Sequence, residues 1–144
     1  METKSNSHPT LLWTPPSGRS TQLQPAGKAW DAVRVPLAMD IGKRTLELLG
    51  DATGAVIENP FDRVLCWLIP PGSASTWDMT ELPSIEVWGV TAYIEVPPAD
   101  CQKGPGVRWR VPPHDRHLTA PAALYTALQT ATREALGPRE EAPR

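Results

Sequence analysis

The chain lacks the features that mark membrane, secreted and strongly nucleic-acid-binding proteins. No run of apolar residues approaches the ~20 that a membrane-spanning helix needs, and the first residues show no apolar segment of a secretory signal. The net charge of −2 supplies no overall positive field that would draw the protein onto DNA or an anionic membrane. We therefore expect a soluble, cytoplasmic protein on which only a local basic strip would attract nucleic acid.

Cysteine and histidine, the usual ligands of transition metals, are scarce. The two cysteines, Cys66 and Cys101, have neither CxxC nor metal-ligand spacing. Cys66 lies inside an apolar run, where a free thiol packs as a small hydrophobic group. Besides His8 the only histidines are His114 and His117, which have no third ligand nearby and are expected in a solvated turn. The sequence thus predicts no metal site and no cofactor.

Proline is abundant, and phenylalanine and tyrosine are rare. The 144 residues include seventeen prolines, one Phe, two Tyr and six Trp. Because proline fixes φ and cannot donate to a β-ladder, this composition favours short strands joined by stiff turns. The length allows one domain with a modest core. We predict a disordered or loosely packed arm over residues 1–29, a folded domain over 30–137 and a flexible tail over 138–144.

The periodicity predicts an α+β domain, with a mainly antiparallel sheet and two helices on one side. Strand patterns occupy residues 31–36, 54–59, 63–69, 85–88, 92–97 and 107–112. Helical spacing of apolar residues occurs near 40–50 and 120–136, with Asp40 and Thr119 as expected N-caps and Pro121 in the first turn. The run 63–69 is continuously apolar, which is typical of a strand buried on both faces. It should form a hairpin with 54–59.

Residues 85–98 join two strand patterns through Gly89 and end in a double proline. This block resembles the "hydrophobic-acid-hydrophobic-Arg-Gly-x-Gly-Gly-Tyr-hydrophobic-x-x-Pro-Pro" signature of bifunctional primase-polymerase domains, in the archaeo-eukaryotic primase superfamily. The spacing matches without a gap, and the likeness extends over about residues 31–113. Trp88 stands where the signature has arginine, Val90 where aspartate is common, and Thr91-Ala92 where two glycines are usual.

The resemblance implies a retained scaffold without the family's nucleotidyl transfer. In the family, two carboxylates one residue apart on a strand hold divalent cations. Here Val33 and Val35 fall at those positions, and the segment 62–65, which includes Val64, lacks the histidine of the family's next hairpin. Valine cannot bridge metal ions. We therefore expect a degenerate pseudoenzyme rather than an enzyme.

Four residues form a candidate nucleic-acid-binding surface. Alternation in 107–111 predicts that Val107, Trp109 and Val111 face the core, and that Arg108 and Arg110 lie together on the wet face. Two guanidinium groups there would bind phosphate bidentately, or they are ordinary solvated residues. Two further residues would extend this surface, Arg34 as another cation and Trp88 as a base-stacking platform, unless the indole belongs to the core.

Trp13 and Trp77 are candidate anchors for a protein partner, since tryptophan is enriched in binding hot spots, although packing onto the domain is the alternative.

Two functional hypotheses follow. The first is a non-catalytic interaction or regulatory module with a protein partner, and the second is a residual nucleic-acid or nucleotide binder that uses Arg34, Arg108 and Arg110. Convergence of these arginines on one concave face would favour the second hypothesis.

Overall fold

The computed structural model describes residues 13–113 and 118–137. Three predicted features lie outside these ranges: His8, the turn that contains His114 and His117, and the tail over residues 138–144. The elements in chain order are β1 (Gln22–Pro25), β2 (Asp31–Pro36), α1 (Ile41–Leu49), β3 (Val56–Asn59), β4 (Val64–Ile69), β5 (Glu86–Trp88), β6 (Tyr93–Val96), β7 (Arg108–Val111) and α2 (Pro121–Leu136). Every strand pair is antiparallel, which confirms a small α+β domain with two helices. Within the described ranges, no helix is long and apolar enough to cross a bilayer.

Five strands form the main sheet, in the order β5-β2-β4-β3-β7. The predicted β3–β4 hairpin is confirmed, with its register running from Val56 opposite Trp67 to Asn59 opposite Val64. Strand β4 is central and is buried along nearly its whole length, as its continuous apolar run predicted. The sheet therefore needs cover on both faces.

Both helices cover one face of this sheet, called the helix face below. The core there joins apolar side chains of the strands to those of α1 and α2: Val33, Val35, Val56, Leu65, Trp67, Ile41, Leu49, Leu124 and Leu128. At the surface, Arg44 Nε of α1 donates to Glu134 Oε1 of α2 over 2.8 Å. This hydrogen bond lowers the pKa of the Glu134 carboxyl, so the helix pair is joined by charge as well as by packing.

A two-stranded ribbon of β1 and β6 covers the opposite face of the sheet, the ribbon face. Ile94 and Val96 of β6 pack there with a set of sheet and loop residues: Trp30, Ala32, Ile57, Cys66, Leu68 and Trp109. The prediction that residues 92–97 join the main sheet is therefore wrong, and no strand was predicted before residue 31. The sequence Gln-Leu-Gln-Pro of β1 has little apolar character, so its extended form depends on pairing with β6.

Gly27 lets the chain turn between β1 and β2 beneath the loop that precedes β6. Its φ is +92°, and a Cβ there would lie 2.6 Å from the backbone nitrogen of Val90. Ala26 N also donates to Ala92 O over 2.9 Å, so this close approach holds the ribbon onto the domain. Only glycine meets both requirements.

The predicted helix caps differ from those in the structure. Asp40 stands before α1 but has φ +59° and makes no capping hydrogen bond. Ala120, rather than Thr119, precedes α2, and Pro121 occupies its first turn as predicted. Thr119 is fully buried, and its Oγ1 accepts from Gly54 N over 2.8 Å. The Thr119 hydroxyl thus accepts from the backbone ahead of β3 instead of capping a helix. The Gly54 N–H is buried, and leaving it without an acceptor would cost about 1–3 kcal/mol.

Candidate interaction site

The arginines predicted to bind nucleic acid lie on opposite faces of the sheet. The register aligns Arg34 with Cys66, and Cys66 with Ile57, in one row on the ribbon face. Arg108 aligns instead with Glu58, one position further along β3. Because successive side chains of a strand point to opposite faces, Arg108 belongs to the helix face. The three arginines do not converge.

Arg108 and Arg110 do lie close together, as predicted, but a carboxylate joins them. Arg108 Nη2 is 3.1 Å from Glu58 Oε2, and Arg110 Nη1 is 3.4 Å from Glu58 Oε1. Arg108 Nη1 also donates to the carbonyl oxygen of Gly104 over 2.9 Å. The mostly buried Glu58 side chain therefore binds both guanidinium groups, which reduces what they offer to a phosphate.

An irregularity in the β3–β7 register explains how both arginines reach one carboxylate. Val56 is opposite Val111 and Ile57 is opposite Trp109, so β7 contributes an extra residue at this step. Val111 consequently packs against the helix-face core, whereas Trp109 lies in the ribbon-face core. The expected single inward face of Val107, Trp109 and Val111 is wrong for this reason.

Arg34 and Trp88 contact each other and two acidic residues, Asp62 and Glu86. The Arg34 guanidinium lies 4.1 Å from the centroid of the Trp88 ring. Its Nη2 is 3.2 Å from Asp62 Oδ2, and its Nε is 3.7 Å from Glu86 Oε1. Trp88 Nε1 donates to the same Glu86 oxygen over 3.1 Å. One face of the indole is thus already covered by a cation of the same chain.

Trp13 and Trp77, the predicted partner anchors, are half-buried on the domain itself. Trp13 packs edge-to-face on Trp30, with ring centroids 5.7 Å apart, and its Nε1 donates to Gln24 Oε1. Trp77 stacks on Tyr125 of α2 at 5.2 Å. Both indoles hold surrounding segments in place, which is the alternative that the sequence left open.

The resemblance aligned Val33, Val35 and Val64 with catalytic positions of the primase-polymerase family. Val33 and Val35 are completely buried in the helix-face core, and Val64 is half-buried at the start of β4. Among residues 13–113 and 118–137, no group of three His, Cys, Asp or Glu side chains is arranged to hold a metal ion.

A cleft of about 380 Å³ opens between the ribbon and the main sheet. Its lining comes from β1, β6, the inner row of the sheet and the β3–β4 turn: Leu23, Arg34, Ile57, Asn59, Phe61, Asp62, Cys66, Tyr93, Ile94 and Glu95. We call it the ribbon cleft. It lies where the ribbon, the inner row of the sheet and the β3–β4 turn meet.

The rim of the ribbon cleft is apolar and unusually exposed. Phe61, the only phenylalanine of the chain, is 73% exposed, Leu23 is 66% exposed and Tyr93 is 59% exposed. The Phe61 ring is presented from a fixed turn, because Asn59 Oδ1 accepts from the backbone nitrogens of Phe61 and Asp62 over 3.0 and 3.1 Å. The sequence patterns did not predict this rim, although one signal for it was present, since the single Phe lies in the turn of the predicted hairpin.

The polar side chains that line the cleft include more acids than bases. Asp62 and Glu95 contribute carboxylates, and Arg34 contributes the cation. Asn59 Nδ2 lies 3.4 Å from an oxygen of each carboxylate and links them. Beneath them the Cys66 thiol is almost completely buried, and this desolvation raises its pKa to about 12. The thiol therefore stays neutral at physiological pH, and it lines the floor of the cleft without acting as a nucleophile.

Comparison with protein-family models, with curated proteins and with solved structures found no match to this chain.

Proposed function

We propose that this chain is a non-catalytic, degenerate primase-polymerase-like domain that acts in the cytoplasm as an interaction or regulatory module, with the ribbon cleft as the surface that binds a protein partner. The observation that carries the proposal is the exposed rim of Phe61, Leu23 and Tyr93 around one cleft. Scattered exposed apolar residues are ordinary, whereas several around a single concavity mark a binding site.

The energetics favour a protein ligand for this rim. Covering an exposed aromatic or aliphatic side chain contributes about 1.5–3 kcal/mol, and the fixed β3–β4 turn limits the entropy lost by Phe61 on binding. Aromatic residues are enriched in the centres of protein interfaces. Trp13 and Trp77 remain secondary candidates, since each is half-exposed beside its intramolecular contact.

The backbone near Thr91 supports the proposed ancestry. Thr91 has φ +79°, in the left-handed region that glycine favours, and the resembled signature places a glycine at this position. Ala92 N donates to Gly89 O over 3.0 Å and closes the turn. A glycine-type turn that persists after the glycine has been replaced is what a degenerate family member would show.

The alternative, binding of nucleic acid or a nucleotide through Arg34, Arg108 and Arg110, has less support. Each of these guanidinium groups has a carboxylate within 3.4 Å. A phosphate would have to displace that carboxylate, which cancels much of the electrostatic gain. The separation of Arg34 from the other two arginines also prevents one strand of nucleic acid from contacting all three on the same face of the sheet.

The proposal is tested by comparing complexes formed by three versions of the protein. Wild-type protein, Phe61→Ser and Leu136→Ser would each be used to isolate partners from the native cell, with mass spectrometry as the readout. Leu136 is an exposed residue at the end of α2 and serves as the matched control. We expect at least one protein to bind wild type and Leu136→Ser but to be lost, by about tenfold or more, with Phe61→Ser. Equal recovery with all three versions would contradict the proposal.

A further inference from the structure

We infer that the ribbon cleft selects a partner segment that carries a lysine or arginine side chain beside an apolar residue. This inference rests on the proposed function, because it names the chemistry of the partner that would bind the cleft. Aromatic rings at the rim of this cleft lie beside an exposed carboxylate, that of Glu95, and both belong to side chains that line it.

Among residues 13–113 and 118–137, no cation forms an ion pair with Glu95. Arg34 lies between Asp62 and Glu86, at 3.2 and 3.7 Å, so its single positive charge is already opposed by two negative ones. Glu95 Oε1 accepts one long hydrogen bond of 3.4 Å, from the neutral amide of Asn59. A carboxylate offers about four lone-pair positions. Most of the Glu95 acceptor capacity therefore faces the cleft or solvent.

The rim provides the apolar and aromatic surface that a long cationic side chain needs. Lysine and arginine pack their aliphatic stems on apolar groups while the charged head reaches a polar partner. Leu23 lies opposite Glu95 in the ribbon, and Tyr93 lies two residues before it on the same outward row. A cation near the rings of Phe61 and Tyr93 would gain a cation–π contribution in addition to the ion pair. The apolar residue of the partner would cover the remaining ring surface.

The same arrangement disfavours an anionic ligand. A phosphate or an acidic peptide entering the cleft would meet Glu95 and Asp62 before it reached Arg34, whose guanidinium is stacked on Trp88 and mostly buried. These two carboxylates would repel an anion. Nucleic acid is therefore an outcome that the experiment must exclude rather than the ligand that the cleft fits.

The first part of the test uses a phage-displayed library of random dodecapeptides selected on the immobilised full chain. We expect enriched peptides to share a lysine or arginine next to an aromatic or aliphatic residue. One enriched peptide, labelled with a fluorophore, would then be titrated by fluorescence anisotropy against the protein. Replacing its basic residue by norleucine, which keeps the aliphatic stem but not the charge, should weaken binding about tenfold.

The second part uses protein variants and salt. Glu95→Gln removes the carboxylate charge and should weaken the peptide about fivefold to tenfold. Glu47→Gln makes the same charge change on exposed α1, at the helix face, and should leave the affinity unchanged. Raising the ionic strength from about 50 to 500 mM should weaken the wild-type complex more than the Glu95→Gln complex, because screening acts on the ion pair that the variant lacks.

The outcomes separate failure of this inference from failure of the proposed function. Enriched peptides that need Phe61 but tolerate norleucine and Glu95→Gln would overturn the basic side chain and leave the interaction module intact. Peptides insensitive to both Phe61→Ser and Glu95→Gln would overturn the cleft as the binding surface altogether. Selection of acidic peptides, or displacement of the labelled peptide by single-stranded DNA at physiological salt, would likewise overturn the inference.

Discussion

Thr91 adopts a backbone conformation that a β-branched residue rarely takes. Its φ of +79° costs a non-glycine residue roughly 1–2 kcal/mol. The side chain is exposed, so no packing would be lost on its removal. Replacing Thr91 by glycine would relieve most of this strain. It would also lower the free energy of unfolding by about 0.5–1 kcal/mol, because glycine gives the unfolded chain more conformational freedom.

We therefore expect Thr91→Gly to raise the free energy of unfolding by roughly 0.5–1 kcal/mol, seen as a higher urea midpoint with an unchanged slope. Thr126→Gly, at an exposed position inside α2, provides the control and should lower the midpoint, since glycine destabilises helix interiors. A decrease for Thr91→Gly would show that the turn carries no strain.

Cys66 and Cys101 should differ sharply in reactivity. Burial raises the pKa of the Cys66 thiol to about 12, against an ordinary value of 9.0. At pH 8 the folded protein should therefore be alkylated by iodoacetamide at the half-buried Cys101 and not at Cys66. Peptide mapping by mass spectrometry distinguishes the two sites. Alkylation of Cys66 at a rate similar to that of Cys101 would contradict its burial.

The same raised pKa gives stability a pH dependence. Above pH 9 the unfolded state releases the Cys66 proton, whereas the folded state retains it until about pH 12. The unfolded state then binds fewer protons, so the contribution of Cys66 to the free energy of unfolding falls across this window and is fully present below it. Urea titrations from pH 8 to 10.5 should show a shallower decline for Cys66→Ala than for wild type.

At the scale of elements, Glu58 joins β3 to β7 through its two arginines. Replacing both Arg108 and Arg110 by alanine would leave a mostly buried carboxylate without its charged partners. We expect the double variant to lose roughly 1–3 kcal/mol of unfolding free energy and to show no change in its affinity for single-stranded DNA at physiological salt.

The matched control for this pair is Lys43→Ala with Arg133→Ala, which removes two exposed positive charges from the helices. Its stability should remain close to that of wild type. If the two arginines bound phosphate instead, the salt dependence of DNA affinity would fall by about 0.7 for each contact removed. A micromolar affinity that disappears only in the β7 variant would show that the nucleic-acid hypothesis is correct.

Elements whose pattern reflects local burial were predictable from the sequence, and elements that depend on distant partners were not. The apolar run of β4 and the helical spacing of α2 identify them without reference to the rest of the chain. Strand β1 has no such pattern, because its conformation is dictated by β6, which lies far along the sequence. Thr119 was assigned to a cap for the same reason: its real partner, Gly54, is remote in sequence.

The arginines of the predicted nucleic-acid-binding surface were identifiable from the sequence, but their ion-pair partners and most of the ribbon cleft were not. The sequence identified Arg34, Arg108 and Arg110 as notable, yet the acidic residues that bind them come from other strands and turns. One-dimensional spacing does not show which carboxylate will be opposite which guanidinium. The exposure of Phe61 was not predictable either, because the sequence of a turn does not show whether its apolar side chain packs on the domain or faces solvent.

At the scale of the whole molecule, the proposed loss of catalysis is open to a direct assay. Val33 and Val35 are enclosed between sheet and helices, so neither faces a surface that a nucleotide can reach. We expect purified protein to synthesise no primer and to extend none when labelled nucleotide is supplied with magnesium or manganese, relative to a boiled sample. Reproducible incorporation that survives further purification would refute the pseudoenzyme proposal.

The pairing of β1 with β6 also determines when, during synthesis, the cleft can exist. Residues 22–25 leave the ribosome before residues 93–96, so the two halves of the rim meet only after β2, β3, β4 and β5 have also emerged. Closing so long a loop is entropically expensive and tends to occur late in folding. A partner that recognises the assembled cleft would therefore ignore chains that end before β6, and its binding would report that synthesis has passed this strand.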